Sequence, residues 1–561
     1  MQGEPNLQNQ NQNYVSYQSY TPRPMREFSS VESGFAWLAL IAGYAFCRVF
    51  PVMLNPFGGL IFVIALFAVT TAVLKKRGAK FGVMSVAAML SAVIVSFSLF
   101  FSSNGFIHFL SYGYAAVAYC YFVYASFGNA LEKGFSNLIA ADFFKALFVM
   151  PFVSMGQVFP ALGSGKGKKR GKAFLKILLG LALAFIPTAI VVSLLSYDSG
   201  FTSLLQSIFK FDFRSIVSHL FSIAFGIPVG MYIYGGFISS VDKKCSEALT
   251  ADSWRNAVQK ARIVPSVTAL AAALPLLVLY VIFFISQWKY YVSGFVGVLP
   301  DEVSYAEYAR EGFFQLCAVS VINLLVISAF GLFMRRRQDG KSVLLKVLSL
   351  VFSVFTLVLI STAMAKMALY INRYGLTPKR VYSSWFMVVL AVVFLLVCAK
   401  QIAPKFKLIP TAFFVSVAMF AFLAISGVDG LIAKYNVDRY LGGSLETVDV
   451  AAMEQLGDSA VPQLVRLAKE LDRKNDTSIA HEVEYIADMY DENADSEFSY
   501  YIYEGTAEFE WQLYEQVADA LARYVSNAKE RSVFSLTLPH IRAKAALSSA
   551  GIALETVNAG K

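Results

Sequence analysis

The side chains best suited to chemistry lie in three polar stretches that interrupt an otherwise apolar chain. The first stretch, Leu299–Leu316, carries Glu307, Arg310 and Glu311, which a helix would place within about one turn of each other. Two carboxylates beside a guanidinium group could bind a polar or lipid-linked ligand or supply general acid–base catalysis. The same spacing is typical of a solvated helix end surrounded by interfacial tyrosines, so both interpretations remain open.

The other two stretches, Asn372–Ser383 and Ala433–Leu441, contribute arginines, which recognise carboxylate or phosphate groups in a planar, bidentate geometry. Each of the three stretches adjoins a predicted membrane span on the same side of the bilayer. We therefore expect them to converge at the outer membrane surface, where they could bind a ligand or fix an external domain to the membrane helices. The candidate outer-face cluster consists of Glu307, Arg310, Glu311, Arg373, Arg380 and Arg439.

Polar residues inside predicted spans form a second class of candidates, because placing them in lipid costs free energy. Asn323, near the middle of one span, is expected to bond a neighbouring helix. Lys366 lies near the outer end of its span, so its ammonium group could extend to water. The segment Gly226–Gly230, which includes Pro228, indicates close helix packing or, alternatively, a broken helix that lines a transport path.

No metal site, cofactor site or nucleotide-binding loop is readable in the sequence. The five cysteines form no CxxC pair, and the four histidines are scattered along the chain. The run Gly163–Lys172, GSGKGKKRGK, lacks the spacing of a phosphate-binding loop and follows no predicted strand. We therefore expect neither a metal nor a cofactor.

The composition places these candidates in a membrane protein. The chain of 561 residues is 57% hydrophobic and only 15% charged, whereas soluble proteins are about 25% charged. Many apolar runs approach or exceed the roughly 18 residues that a membrane-spanning helix needs, and in lipid the backbone must bond within such a helix. The predicted fold is an all-α, polytopic membrane helix bundle of about 11 spans. The predicted spans are Ser33–Met53, Phe57–Leu74, Gly82–Phe101, Phe106–Tyr124, Phe174–Leu195, Val217–Ile238, Val264–Ile285, Phe313–Met334, Val343–Leu369, Ser384–Ala399 and Leu408–Ile425.

Basic residues in the connections between these spans predict the orientation of the bundle. One set of alternate connections contains 25 lysines and arginines, whereas the other set contains 7. Because cytoplasmic connections are enriched in lysine and arginine, we expect the first set and the N-terminus to lie in the cytoplasm. An odd number of spans then places the C-terminal residues outside.

One further apolar segment, Phe143–Pro160, complicates this count. Prolines and charged residues interrupt it, and the basic run Lys166–Lys172 follows shortly afterwards. We interpret residues 129–172 as an interfacial cytoplasmic segment whose basic run contacts anionic lipids. The alternative is a twelfth span, which would reverse the orientation of all downstream residues.

The two ends of the chain differ in character from the predicted membrane domain, residues 33–427. Residues 1–32 are rich in glutamine, asparagine, tyrosine and serine and are predicted to form a disordered cytoplasmic tail. Residues 428–561 hold 12 basic and 23 acidic residues and repeated helix-start signals. We predict that they form a small, acidic, all-α extracytoplasmic domain.

Short motifs in a fixed order give the sequence a family resemblance. They are YAREGFF at Tyr308–Phe314, GLT at Gly375–Thr377 with Arg380, NVDRY at Asn436–Tyr440, and Asp449 with LGDSAVPQL at Leu456–Leu464. Over roughly residues 174–464 the sequence resembles a group of bacterial multi-pass membrane proteins known as the domain-of-unknown-function 4153/4173 group. The resemblance implies a protein of the bacterial cell membrane, and it supplies no catalytic residues.

Three functional hypotheses are compatible with these features. The leading hypothesis is a non-enzymatic envelope sensor or assembly scaffold whose external domain binds a protein partner, since no catalytic constellation is recognisable. The first alternative is a transporter or flippase of a polar or lipid-linked substrate. The second alternative is an outward-facing membrane transferase. Binding of nucleic acid is disfavoured, because the basic residues lie mostly in short connections between apolar runs.

Overall fold

The computed structural model describes residues 26–49, 55–164 except 133 and 135, 213–244, 249–286, 305–335, 343–475, 477–492, 509–528 and 535–552, with single positions between 180 and 191. Within these residues every regular secondary-structure element is a helix, and 11 helical stretches are long and apolar enough to cross a membrane. The predicted all-α membrane fold is confirmed. The predicted span 174–195 falls outside the described residues except for single positions, and the 11 stretches instead include Ile139–Leu162.

The helices of the first half are α1 (Ser30–Val49), α2 (Pro56–Lys76), α3 (Val83–Ser96), α4 (Ser98–Phe101), α5 (Gly105–Ser126), α6 (Ile139–Phe144), α7 (Met150–Ser154), α8 (Val158–Leu162) and α9 (Phe213–Val241). Those of the second half are α10 (Ala251–Ala261), α11 (Ser266–Ser286), α12 (Tyr305–Phe333), α13 (Val343–Tyr374), α14 (Pro378–Ile402), α15 (Leu408–Ile425) and α16 (Val428–Leu441). The last five are α17 (Val450–Glu454), α18 (Val461–Asn475), α19 (Ile479–Glu492), α20 (Phe509–Ala528) and α21 (Leu538–Ser549).

Several helix ends follow directly from local sequence. The side chain of Asn104 accepts hydrogen bonds from the first backbone N–H groups of α5, and Thr377 caps α14 immediately before Pro378. Gly375 after α13 and Gly427 between α15 and α16 have φ angles of +74° and +64°. Because glycine adopts this left-handed conformation without steric cost, it ends one helix and lets the chain change direction.

Helices α1 and α9 pack antiparallel within a first membrane bundle that also contains α2–α5. At one end, Arg26 before α1 bonds Asp242 just after α9, at 2.6 Å. At the other end, Arg48 in the last turn of α1 bonds Ser218 near the start of α9, at 2.7 Å. One end of this bundle is therefore marked by the Arg26–Asp242 contact, and the other end by the Arg48–Ser218 contact.

The first helix begins earlier than predicted. It starts at Ser30, inside the stretch 1–32 that we expected to be a disordered tail. Glu32 is only 1% exposed, and its carboxylate bonds Arg26 at 3.0 Å and Arg77 at 2.8 Å. A buried carboxylate needs charged or polar partners, and these two arginines supply them. The residues before Arg26 lie outside the described part of the chain.

A second membrane bundle contains α11–α14. The fully buried rings of Phe313, Phe352 and Phe394 lie in its core. Helix α15 packs against both α14 and α3, so it connects the second bundle to the first.

The C-terminal helices α16–α21 enclose a separate apolar core. In α20 the side chains of Leu513, Val517, Leu521 and Val525 are all buried. These side chains recur every fourth residue, which places them along one side of a helix.

Candidate functional site

Two arginines of the predicted outer-face cluster, Arg380 and Arg439, bond the C-terminal end of α13, and a third, Arg373, lies in its last turn. The last carbonyl groups of a helix have no partners within the helix and need other hydrogen-bond donors. Helix α14 begins beside this end, and α16 contributes Asn436 and Arg439 to it. The site is therefore built from two helix termini and two side chains of α16.

Arg439, in the last turn of α16, extends its guanidinium group over the end of α13. It donates hydrogen bonds to the carbonyl oxygens of Ile371 at 3.3 Å and Asn372 at 2.9 Å. The same group also donates to the carbonyl oxygen of Ser444 at 2.8 Å. Positive charge is favourable at a helix C-terminus, where carbonyl dipoles are concentrated. Arg439 thereby joins α16 to α13 through main-chain oxygens.

Arg380, in the first turn of α14, contacts the same helix end. Its guanidinium group donates to the carbonyl oxygens of Tyr374 at 2.9 Å and Gly375 at 2.5 Å. The group also lies 4.1 Å from the ring centroid of Tyr370, a cation–π contact. Both arginines therefore direct donors towards the protein's own backbone.

Asn436 completes this contact, although the sequence analysis did not select it as a site residue. Its Oδ1 accepts a hydrogen bond from the backbone N–H of Leu376 at 2.7 Å, and its Nδ2 donates to the Leu376 carbonyl at 2.8 Å. Asn436 is the first residue of the NVDRY motif, and membership of that motif is the sequence feature that could have identified it. Its partner lies 60 residues away in the chain, so spacing alone could not identify it.

The remaining members of the predicted cluster occupy different environments. Arg373 bonds Glu446 at 2.7 Å, and both side chains are largely exposed. Glu307, Arg310 and Glu311 lie in the first turns of α12, but their side chains fall outside the described residues. Arg380 and Arg439 thus meet at the end of α13, whereas Arg373 pairs with Glu446, and the place of the first stretch stays a prediction.

A second polar contact links the C-terminal helices to the membrane bundles. The hydroxyl of Tyr382 in α14 donates to Oδ1 of Asp429 in α16 at 2.9 Å, and Asn104 also bonds Asp429. The hydroxyl group of Ser103, which precedes Asn104 in the chain, lies 3.1 Å from the hydroxyl group of Ser459. Burial raises the pKa of Asp429 above its ordinary value, although both hydrogen bonds act in the opposite direction. No sequence motif indicated this contact.

Asn323 bonds two neighbouring helices within the second bundle, in agreement with its predicted role. Its Oδ1 accepts from the hydroxyl of Tyr280 in α11 at 2.5 Å, and its Nδ2 donates to Oγ1 of Thr356 in α13 at 2.9 Å. Hydrogen bonds of this kind stabilise helix pairs in membranes by about 0.6–2 kcal/mol each. The side chain is fully buried, so its contacts are structural.

Most of the Lys366 residue is buried, and the extension of its ammonium group to water stays a prediction. The residue is 8% exposed and lies on the face of α13 that also buries Ala363 and Met367. Tertiary packing therefore encloses most of the side chain at this point of α13.

Gly226 and Gly230 of α9 form a close contact with α1. A Cβ atom on Gly43 of α1 would lie 2.1 Å from the carbonyl oxygen of Gly226, and one on Gly230 would lie 2.7 Å from the Ala39 oxygen. Helix backbones approach this closely only where side chains are absent. The geometry agrees with the packing interpretation of Gly226–Gly230.

Metal coordination has no counterpart among the described residues, where no group of three or more His, Cys, Asp and Glu side chains could hold an ion.

Comparison with known protein families gives one result for this chain. A family model described as "Domain of unknown function (DUF4153)" matches residues 61–467. The chain belongs to this family. The matched region begins well before residue 174, where the motif resemblance began, and it includes the end of α13, all of α16 and the first half of α18. No curated protein and no solved structure matches the chain.

Proposed function

We propose that this DUF4153 protein is a non-enzymatic sensor or assembly scaffold of the bacterial cell envelope. In this proposal the membrane bundles hold the acidic C-terminal domain, α16–α21, at the membrane surface, and the domain binds a protein partner. The observation that carries the proposal is the attachment of α16, since Asn436 and Arg439 bond main-chain groups at the end of α13. A domain fixed through backbone contacts offers a partner a surface of constant orientation.

The proposed location is the bacterial plasma membrane, with the N-terminus in the cytoplasm and the C-terminal domain outside. The argument is the excess of basic residues, 25 against 7, in one set of connections. In this topology the basic run Lys166–Lys172 lies on the cytoplasmic side, where it contacts anionic lipids.

A fusion experiment tests the orientation. Alkaline phosphatase attached after Lys561 is expected to be active in a bacterial host, because this enzyme matures only outside the cytoplasm. A fluorescent protein at the same position should remain dark if it is exported by the general secretory route. Bright fluorescence without phosphatase activity would overturn the proposed topology.

The transport alternative depended on a broken helix at Gly226–Gly230. The contacts of this segment with Gly43 and Ala39 of α1 support a packing role. They leave no room for a transport path between α1 and α9 at these residues. The transferase alternative depended on Glu307 and Glu311, whose side chains lie outside the described residues. The scaffold proposal uses only contacts that the described residues make.

Exposed aromatic residues mark the surface on which a partner should be sought. Tyr485 of α19 is 58% exposed and Trp511 of α20 is 40% exposed, and these two helices pack against each other. Tyrosine and tryptophan are enriched in protein interfaces, where they supply rigid contact area. We therefore place the partner-binding surface on α19 and α20.

Photocrosslinking in native membranes tests the scaffold itself. A photoreactive phenylalanine analogue at Tyr485 is expected to capture one protein partner in a fixed stoichiometry. The matched control is the same analogue at Tyr514 of α20, which is 2% exposed and should give no intermolecular product. The analogue is also placed at Trp511. If the variants with the analogue at positions 485 and 511 fold and insert but capture no protein, the scaffold proposal fails. Stoichiometric co-purification of a lipid-linked molecule in native mass spectrometry would favour transport or transfer instead.

A further inference from the structure

Residues 139–162 have the length and hydropathy of a membrane span, yet their first part is held at one end of the first bundle. Asp142 accepts a hydrogen bond from the hydroxyl of Tyr124, two residues before the end of α5, at 2.8 Å. Lys145 donates to the carbonyl oxygen of Leu249, in the connection after α9, at 3.3 Å. The segment therefore starts at the end of the bundle where α5 and α9 terminate.

The last part of the segment contacts the same end. Ser164 bonds Ser33, in the first turn of α1, at 3.1 Å, and Lys244 just after α9 bonds Ser154 at 2.9 Å. The start of α1 and the end of α9 are themselves joined by the Arg26–Asp242 ion pair. A straight helix of this length would extend about 36 Å, which exceeds the roughly 30 Å of the 20-residue helix α1, and would reach the opposite end of α1. The segment returns to the end from which it started.

Irregular backbone lets the segment change direction. Residues Lys145–Val149 form a π-helical turn, Pro151 follows, and Met155–Gln157 form a 3₁₀ turn. Such turns and prolines are the usual causes of sharp bends in helices. At the bend, a Cβ atom on Gly235 of α9 would lie 2.2 Å from the carbonyl oxygen of Pro151, so the segment contacts the last third of α9 directly.

The two faces of the segment have the opposite polarity from a helix on a water-exposed surface. The polar side chains of Asp142, Lys145 and Ser154 point into the protein, and each of these residues is at most 2% exposed. The outward face is apolar and carries three phenylalanines at four-residue spacing. Their exposures are 49% for Phe144, 62% for Phe148 and 56% for Phe152.

The apolar face continues the lipid-facing surface of α9. The ring of Phe152 packs edge-on against that of Tyr232, with centroids 5.6 Å apart. Tyr232 shares one side of α9 with Phe221 and Phe225, which are 45% and 64% exposed on a helix that meets the criteria of a membrane span. The phenylalanines of the segment therefore lie beside a surface that lipid covers.

We infer that residues 139–162 enter one leaflet of the bilayer and leave it on the same side, with Phe144, Phe148 and Phe152 in contact with lipid acyl chains. The interaction partner is the hydrocarbon of that leaflet, and the inward Asp142 and Lys145 hold the segment to the bundle. This arrangement does not depend on which side is cytoplasmic, and the lipid contact can fail or hold separately from the proposed partner of the C-terminal domain. A segment that crossed the bilayer would instead reverse the orientation of all downstream residues.

Sidedness of chemical labelling tests the return of the chain. In a cysteine-free full-length protein, single cysteines are placed at Asn137 and Ser164, with Thr447→Cys in the loop after α16 as the reference for the other side. A membrane-impermeant maleimide applied to sealed vesicles should label positions 137 and 164 from the same side, and position 447 from the opposite side. Labelling of 137 and 164 from opposite sides would overturn the inference.

Photocrosslinking tests the partner of the apolar face and does not require any change at Ser164. Benzoylphenylalanine replaces Phe148 in full-length protein reconstituted into phosphatidylethanolamine and phosphatidylglycerol vesicles. The expected product is a covalent adduct with the mass of one phospholipid. The matched control is Phe143, whose ring centroid lies 4.7 Å from that of Tyr121 and 4.9 Å from that of Phe413, so it should crosslink within the chain. A crosslink from position 148 to a second protein chain, or the absence of a lipid adduct, would overturn the proposal.

Discussion

The side-chain amide of Asn436 pairs with both main-chain polar groups of Leu376, at 2.7 Å and 2.8 Å. An amide is suited to this position because it offers an acceptor and a donor in one plane. Gly375 precedes the contact, and a Cβ atom there would lie 2.6 Å from the Asn436 oxygen. The glycine and the asparagine therefore depend on each other, and together they fix α16 against the α13–α14 turn.

Replacing Asn436 should destabilise the attachment of α16. Asn436→Leu leaves both polar groups of Leu376 without their partner, and Asn436→Asp retains only the acceptor. We expect each variant to lose about 1–3 kcal/mol in free energy of unfolding, with the larger loss for leucine. The measurement is unfolding of detergent-solubilised protein, with Asn256→Leu on exposed α10 as the control. Wild-type stability of Asn436→Leu would contradict the proposed attachment.

Arg439→Lys and Arg373→Lys should differ, although both keep the net charge. Arg439 bonds three carbonyl oxygens through one planar group, which a single ammonium group cannot reproduce. Arg373 and Glu446 form an exposed pair, and such pairs contribute about 0–1 kcal/mol. We expect Arg439→Lys to lower the unfolding temperature clearly and Arg373→Lys to change it little. Equal effects would show that the helix-end contacts do not matter.

Gly43→Ala should weaken the packing of α1 on α9, because the added Cβ would lie 2.1 Å from the Gly226 oxygen. Gly113→Ala in α5 is a matched control, since a Cβ there has no neighbour within 4 Å. In an open helix position, alanine is favoured over glycine by about 1 kcal/mol. We expect lower thermal stability for the first variant and equal or higher stability for the second. Unchanged stability of Gly43→Ala would favour a loosely packed path at this contact.

Asp429 should make the stability of the protein depend on pH. Burial raises the folded-state pKa of its carboxyl above the unfolded value of 3.8, so the folded state holds the proton more tightly. The resulting stabilisation is fully present below the unfolded pKa and is lost as pH rises through the folded pKa. As pH rises from the unfolded value through the folded-state pKa, wild-type protein should therefore lose more thermal stability than Asp429→Asn.

Tyr382→Phe should shift the pH-dependent loss of stability to higher pH. The Tyr382 hydroxyl donates to the carboxylate and lowers the pKa of Asp429, so its removal should raise that pKa further. The loss of stability should then occur at higher pH than in wild-type protein. Parallel pH profiles for wild type, Asp429→Asn and Tyr382→Phe would exclude a role for this carboxyl group.

The sequence by itself determined the features that depend on neighbouring residues. Apolar runs of about 20 residues must form helices in lipid, since the backbone has no other source of hydrogen bonds there. The four-residue spacing of apolar residues in α20 indicates which side of that helix faces the core. The position of Asn323 within a span indicates that its side chain bonds a neighbouring helix. Each of these conclusions is a local one, because hydropathy and helical periodicity are read over one short window of the chain.

Only the tertiary structure decided which polar groups meet. The sequence places Glu32 in a predicted disordered tail, whereas in the structure its carboxylate bonds Arg77. Asn436 bonds a residue that lies 60 positions away in the chain. Arg439 could have bound a ligand as well as a helix end, since a guanidinium group suits either. The physical reason is that a hydrogen bond depends on the distance and direction between two groups, and these are fixed by the packing of helices far apart in the sequence.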